Sequence, residues 1–288
     1  MNNTQKPISE LLEFCIINVD KPAGLTSFKV CEKVRNMIGA KKAGHFGTLD
    51  PMVTGVLPVA LNRACRLSNY FMIKNKEYVG KMQLHSEVSE EKLKEEMDKF
   101  LGKIMQKPPV RSRVKRVFRE RNVNKFKIIK KHGRIVEFES DVQAGTYIRK
   151  LISDLGEKIG GAHMAELRRI RAGIFLEKES HKLEEIEEAF KEYKKGKEEK
   201  LRKLLIPAEI IKQLITSVQI KEESVKELLN GKPLFIKDIK GDLPNSELIS
   251  VFNKEKFIGI YKIANSSAEN NSMIGKPEFV LNLFTISK

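Results

Sequence analysis

Cysteine is scarce in this chain. Three occur in 288 residues, Cys15, Cys31 and Cys65, spaced 16 and 34 positions apart. That spacing offers neither a C-x-x-C metal pair nor the even number of a disulfide framework, so the three are expected to be small core residues. Long apolar runs are also missing. No stretch of 18 apolar residues exists, and the short run from Leu11 to Ile17 is broken by Glu13. The pattern therefore contains neither a membrane span nor a secretory signal, and a cytoplasmic location without membrane attachment is expected. Nor is there a G-x-x-x-x-G-K-[ST], H-E-x-x-H or G-x-S-x-G motif, or the H-x-E with C-x-x-C of zinc deaminases. Four common catalytic designs are thereby set aside.

Acidic residues are in deficit, 38 against 54 Lys and Arg, for a net charge of +16. The excess is uneven: residues 207 to 288 carry 11 Lys against 10 acids and no arginine, which leaves +15 on residues 1 to 206. Within that part, residues 102 to 134 hold 13 basic side chains against the single acid Glu120. A polyanion such as RNA is the expected partner, because clustered like charges repel until phosphates displace their counterions. Arg111, Arg113, Lys115 and Arg116 are the candidate RNA-binding residues of this segment; a solvated basic loop is the other reading.

Periodicity predicts a strand at 12–19, then a break at Lys21-Pro22-Ala23-Gly24. A helix follows, capped by Thr26 or Ser27, with Val30, Cys31, Val34, Met37 and Ile38 on one face and Gly39 at its end. Further expectations are strands at 77–85 and 135–142 and helices at 89–101, from about Thr146, and around 183–193. The lysine-rich stretch ending at Ile206-Pro207 reads as a domain boundary. Beyond it, a short helix near 225–229 lies among strand-like runs at 233–236, 247–252, 256–263 and 278–286, the pattern of a small barrel or sandwich.

Asp50 stands out on the glycine-bounded loop AGHFGTLDP, where Pro51 holds it in extended backbone. It reads either as a turn residue or as a catalytic carboxylate, since a site for phosphates alone would disfavour a negative charge. Arg149 falls in the first turn of its helix, where the helix dipole disfavours a cation. Either it is solvated, or Asp50 or a phosphate compensates it. His45 could move a proton, contact phosphate or support the loop. Tyr78 is either a core ring or a platform for an unstacked base.

Five segments occur in the order characteristic of the TruB/dyskerin pseudouridine synthases: KPAGLTS (21–27), HFGTLDPMVTGVLPV (45–59), KEYV (76–79), GTYIR (145–149) and AHMAELRRIRAGIF (162–175). The chain resembles that family, and within it the archaeal dyskerin-type subunit of the H/ACA ribonucleoprotein, through LHSEVSEE (84–91), PPVRSRVKRVFRER (108–121) and LRKLLIPAE (201–209). The tail is similar to a PUA domain at GKPLF (231–235) and IGIYKIA. The resemblance implies an α+β fold: a pseudouridine synthase catalytic domain with a mixed sheet at 1–206 and a PUA-type RNA-binding β-barrel at 207–288. It implies isomerisation of uridine to pseudouridine in RNA, with neither metal nor organic cofactor. Asp50 would be catalytic, Tyr78 would stack on the base, and Arg149 would pair with Asp50, while Tyr147, Leu167, Lys21 and His45 contribute to substrate binding. Should that ion pair be buried, loss of Arg149 would cost about 3 to 5 kcal/mol. Phe46 stands where the family usually has a smaller residue, and Met52 replaces a common lysine; both are expected to alter the loop's packing or its phosphate contacts.

The implied partners are an H/ACA guide RNA, an rRNA or tRNA substrate and small accessory proteins of the particle. A guided rRNA synthase is the leading reading. The alternatives are a stand-alone tRNA synthase and a noncatalytic RNA-binding scaffold for ribosome assembly.

Overall fold

The computed structural model describes residues 6–108, 115–263 and 273–282, and the chain divides into two compact units, Met1–Ile206 and Pro207–Lys288. In the first unit, strands β1 (Cys15–Lys21) and β2 (Thr54–Leu61) are nearly continuous apolar runs because they are buried along almost their whole length. Strands β3 (Lys76–Leu84) and β6 (Ile135–Val142) instead bury alternate residues, whereas the long β5 (Arg119–His132) buries only Val123 and Phe126. With β4 (Gly102–Gln106) and β7 (Ala162–Ala172) they form a mixed sheet in the order β1-β2-β7-β3-β6-β5-β4.

One pair in that order is parallel, β2 with β7, where Thr54 faces Arg168 and Gly55 faces Arg169. The other neighbours run antiparallel. The two halves of the sheet therefore meet along a very short parallel seam.

Helices α1 (Ser27–Ile38), α2 (Glu90–Asp98), α3 (Ile148–Ile159) and α4 (Leu183–Tyr193) contribute apolar residues to the same core. In α1, Thr26 is the cap, accepting from the Lys29 amide, and left-handed Gly39 ends the helix. Ser27 does something else: its hydroxyl donates to the Leu49 carbonyl and accepts from the Leu49 amide. The start of α1 is thus tied to the loop that carries Asp50.

Several boundaries differ from expectation. Ile8–Glu13 is helical, with Ile8 and Leu11 turned into the core, so the first strand begins at Cys15 rather than at 12. The helix expected to run to 101 ends at Asp98, and Gly102, with φ +81°, opens β4. Cys15 and Cys31 are buried; Cys65 is only half-buried, its thiol donating to the Ala60 carbonyl.

The basic segment is largely strand. β4 and β5 pair with each other, and β5 pairs with β6, whose acids lie opposite its lysines: Lys125 with Asp141, Lys127 with Glu139 and Lys130 with Glu137. Lys125 and Glu139 approach to 2.7 Å and Lys103 and Glu120 to 3.2 Å. Three of the segment's lysines thus face acids across the sheet, and the rest of its positive charge is not offset this way.

The second unit is a six-stranded, nearly closed, barrel-like sheet of the PUA type. Its strands are β8 (Ser217–Ile220), β9 (Leu234–Phe235), β10 (Ile239–Lys240), β11 (Leu248–Asn253), β12 (Lys256–Ile263) and β13 (Met273–Val280), in the order β9-β13-β12-β11-β8-β10. A short helix, Val225–Leu229, packs on β12, and Tyr261 closes the core by donating to the Leu228 carbonyl. The last strand lies earlier than the expected 278–286, because β12 draws residues 275–280 into register; positions 283–286 fall outside the described residues.

Candidate active site

Asp50 follows a chain of backbone ties that leave its carboxylate presented rather than packed. Phe46 and Leu49 are buried beneath the loop, and Lys21 Nζ donates to the Pro51 carbonyl at 2.8 Å. The larger residue at position 46 is accommodated behind the loop: its ring stacks on Phe71 with centroids 4.6 Å apart and touches Phe175. Met52, in contrast, is 72% exposed.

Across from the loop stands the first turn of α3. Arg149 Nη1 lies 3.0 Å from Asp50 Oδ2, so the carboxylate offsets the cation that the helix dipole disfavours. Both side chains are about half exposed (51% and 46%). The pair is therefore not buried, and the large penalty for stranding a buried charge does not apply; its own contribution to stability is at most about 1 kcal/mol.

This pair opens into a cleft of about 480 Å³ lined by Tyr78, Tyr147, Leu167, Met164 and Arg169 together with the loop from Gly47 to Asp50. Tyr78 and Leu167 are largely buried and give the cleft apolar walls, while Asp50, Lys76, Arg149 and Arg169 supply its charged groups. An aromatic ring beside a carboxylate–guanidinium pair can hold a flat, uncharged base while the carboxylate reaches the attached sugar.

Of the residues singled out in the sequence, Asp50, Tyr78, Tyr147, Arg149 and Leu167 come together around this cleft. Lys21 lies behind it, wholly buried, donating to the carbonyls of Pro22 and Pro51. His45 does not belong to the lining; its Nδ1 is buried without a hydrogen-bond partner, and burial together with Arg169 pushes its pKa down. A neutral imbedded ring suits support of the loop better than phosphate contact. Arg111 and Arg113 lie outside the described residues. Lys115 and Arg116 are exposed, and Arg116 lines a separate cleft with Lys107, Phe118, Lys150 and Asp154.

Two residues of the site escaped sequence reasoning. Lys76 Nζ is buried and donates to the carbonyls of Met72 and Lys74, and Arg169 is 1% exposed behind the loop. The signal for Arg169 was its place in an Arg-Arg pair on a strand, since alternation sends two adjacent arginines to opposite faces.

Burial lowers the Lys21 pKa from 10.5 to about 8, with Asp50 opposing the shift and Arg169 adding to it. Between those pH values the unfolded chain holds the proton and the folded chain does not. Stability should therefore rise with pH across that window relative to Lys21→Met, by roughly 3 kcal/mol in all. Urea titrations of both proteins from pH 7 to 10.5 measure the difference; a flat one would show that Lys21 does not titrate there.

A cleft of this chemistry on a basic unit suits a base within a polyanionic chain. Residues 35–148 match the TruB family pseudouridylate synthase N-terminal domain, and residues 149–212 match the tRNA pseudouridylate synthase B C-terminal domain. Among curated relatives, the "Probable tRNA pseudouridine synthase B" of Nanoarchaeum equitans is 43% identical over 85% of this chain and 72% of its own. That of Pyrococcus abyssi is 39% identical over 92% and 81%. Among solved structures, a Cbf5-Nop10-Gar1 complex matches with a TM-score of 0.88 and 36% identity, covering 96% of this chain and 88% of the other. An H/ACA RNP bound to a substrate RNA containing 2′-deoxyuridine matches at 0.86 and 34%, with the same coverage. The chain belongs to the TruB family of pseudouridine synthases, isomerases that act on RNA. No helix among the described residues is long and apolar enough to cross a membrane.

Proposed function

We propose that this chain is the catalytic subunit of a guided pseudouridine synthase, with Asp50 as its catalytic carboxylate and rRNA as its substrate. The observation that carries the catalytic part is the 3.0 Å pair of Asp50 and Arg149 at the mouth of a cleft walled by Tyr78, Tyr147 and Leu167. In the isomerisation the N1–C1′ bond breaks, the uracil turns, a C5–C1′ bond forms, and a proton moves from C5 to the solvent while N1 gains one. No external group is consumed. The target nucleotide leaves its stack at a cost of a few kcal/mol, roughly what one to two stacking contacts return, and Tyr78 offers such a contact. Arg149 holds the Asp50 carboxylate oriented, which serves it as nucleophile or as base at the sugar.

The guided part rests on similarity along both units to chains solved as Cbf5 with Nop10 and Gar1 and within an H/ACA RNP. A guided enzyme leaves sequence choice to base pairing and needs mainly shape and phosphate contacts from protein. A tail of net charge +1 suits recognition by shape. The second reading, a stand-alone tRNA synthase, is favoured by the names of the curated relatives.

The two readings separate on rate. With an rRNA fragment, the protein alone should work poorly, and a matching H/ACA guide with small accessory proteins should raise the rate at least about tenfold, equal to about 1.4 kcal/mol of barrier. Full speed on tRNA by the isolated chain, with no gain from guide and partners on rRNA, would establish the second reading instead.

A further inference from the structure

Arg168 and Arg169 are adjacent on β7 and have opposite fates. Arg168 is partly exposed and pairs with Asp20 at 3.0 Å and with Glu177. Arg169 is 1% exposed, and among the described residues it forms no ion pair. Its Nε donates to the Val56 carbonyl at 2.7 Å and its Nη2 donates to the Gly47 carbonyl at 3.0 Å, while Tyr78 faces it across the strand pair and lines the same cleft. Burial disfavours the charge on this group. A residue that merely filled the space would be more stable there as an apolar side chain.

Its two acceptors and the ring opposite explain the choice of arginine. Gly47 belongs to the loop that ends in Asp50, Val56 to β2, and Tyr78 to β3 directly opposite Arg169 in register. A planar fork of donors can hold two acceptors in fixed directions while its plane stays beside a facing ring, which lysine's single ammonium on a flexible stem cannot do. The guanidinium thereby bridges the loop that carries the carboxylate and the ring that faces the same cleft, at the seam where the two halves of the sheet meet.

We propose that Arg169 is a positioning residue for the isomerisation, locking the Asp50 loop and the Tyr78 ring in one relation so that both act on the same nucleotide. The inference rests on the reading of Asp50 as the catalytic carboxylate. Arg169 need not touch RNA, so its loss should spare binding and damage the rate at saturating RNA.

The test uses the full chain with whichever RNA and partners support wild-type activity. Arg169→Lys and Arg169→Gln should each lower the single-turnover rate about 100-fold, the scale of a misplacement near 1 Å, with RNA affinity changed less than about threefold. Methylguanidinium should restore part of the rate of Arg169→Ala, and methylammonium should not. Arg169→Lys keeping more than about a third of the rate would overturn the proposal, as would a loss confined to RNA affinity or equal rescue by both cations. If thermal melts show that Arg169 variants do not fold, Tyr78→Phe decides, because it keeps the ring and removes only the hydroxyl on the side chain facing Arg169. A fall of about tenfold or more in rate at unchanged affinity supports the bridge, and a wild-type rate overturns it. Asp50→Asn in the same assay separates the two ideas. If that variant is active, the reading of Asp50 fails and takes the inference with it; if it is inactive while Arg169→Lys is not, the inference alone fails.

Discussion

Replacing Asp50 by asparagine is expected to lower pseudouridine formation at least about 100-fold, the usual scale for loss of a catalytic group, while RNA binding stays nearly intact. The amide has the size of the carboxylate, and its oxygen can still accept from Arg149, so the loop keeps its place. It cannot act as nucleophile or as base. Because the Asp50–Arg149 pair is half exposed, its loss should cost the fold no more than about 1 kcal/mol, which keeps a folding defect from imitating a catalytic one. Tritium release from uridine labelled at C5 reports the chemistry, and a binding titration reports the complex. More than about a tenth of the wild-type rate would remove Asp50 from the role assigned to it.

The second large effect concerns stability. Gly55 has φ +98°, and a Cβ there would overlap the Arg169 carbonyl oxygen and lie 2.9 Å from the Arg169 nitrogen. Both groups are backbone on a buried strand and cannot swing aside. Gly55→Ala therefore combines left-handed strain with a clash at the parallel seam, and it should destabilise the first unit by about 3 kcal/mol or more, lowering its melting temperature by roughly 10 °C. Gly39→Ala is the control: φ is +69°, nothing lies within 4 Å of the added carbon, and only the strain of about 1 to 2 kcal/mol applies. Equal melting temperatures for the two variants would show that close approach of the strands is not what reserves position 55 for glycine.

Much of this architecture was legible because its signals are local. Pro51 marks the presented Asp50, and the apolar spacing of Ile148, Leu151, Ile152, Leu155 and Ile159 marks α3 and with it the place of Arg149 in the first turn. What stayed hidden depends on pairing. The strand character of the basic segment is masked by register shifts between Val123 and Lys125 and between Ile128 and Lys130, which break the alternation that would have revealed it. Three of its lysines face acids on another strand, so a count along the sequence overstated its repulsion there. Arg169 looked like one more cation in a basic chain. Its burial is decided by Gly55 on one side and Tyr78 on the other, residues far from it in sequence.

The parallel seam also bears on the order in which the molecule can be made. Thr54 and Arg168 are 114 positions apart, and closing so long a loop is a slow step compared with forming the hairpins on either side. During synthesis the Asp50 loop leaves the ribosome early, while Leu167 and Arg169 follow more than a hundred residues later. A nascent chain thus carries its carboxylate without the far wall of the cleft. The cleft around Asp50 is complete only once the sheet is joined.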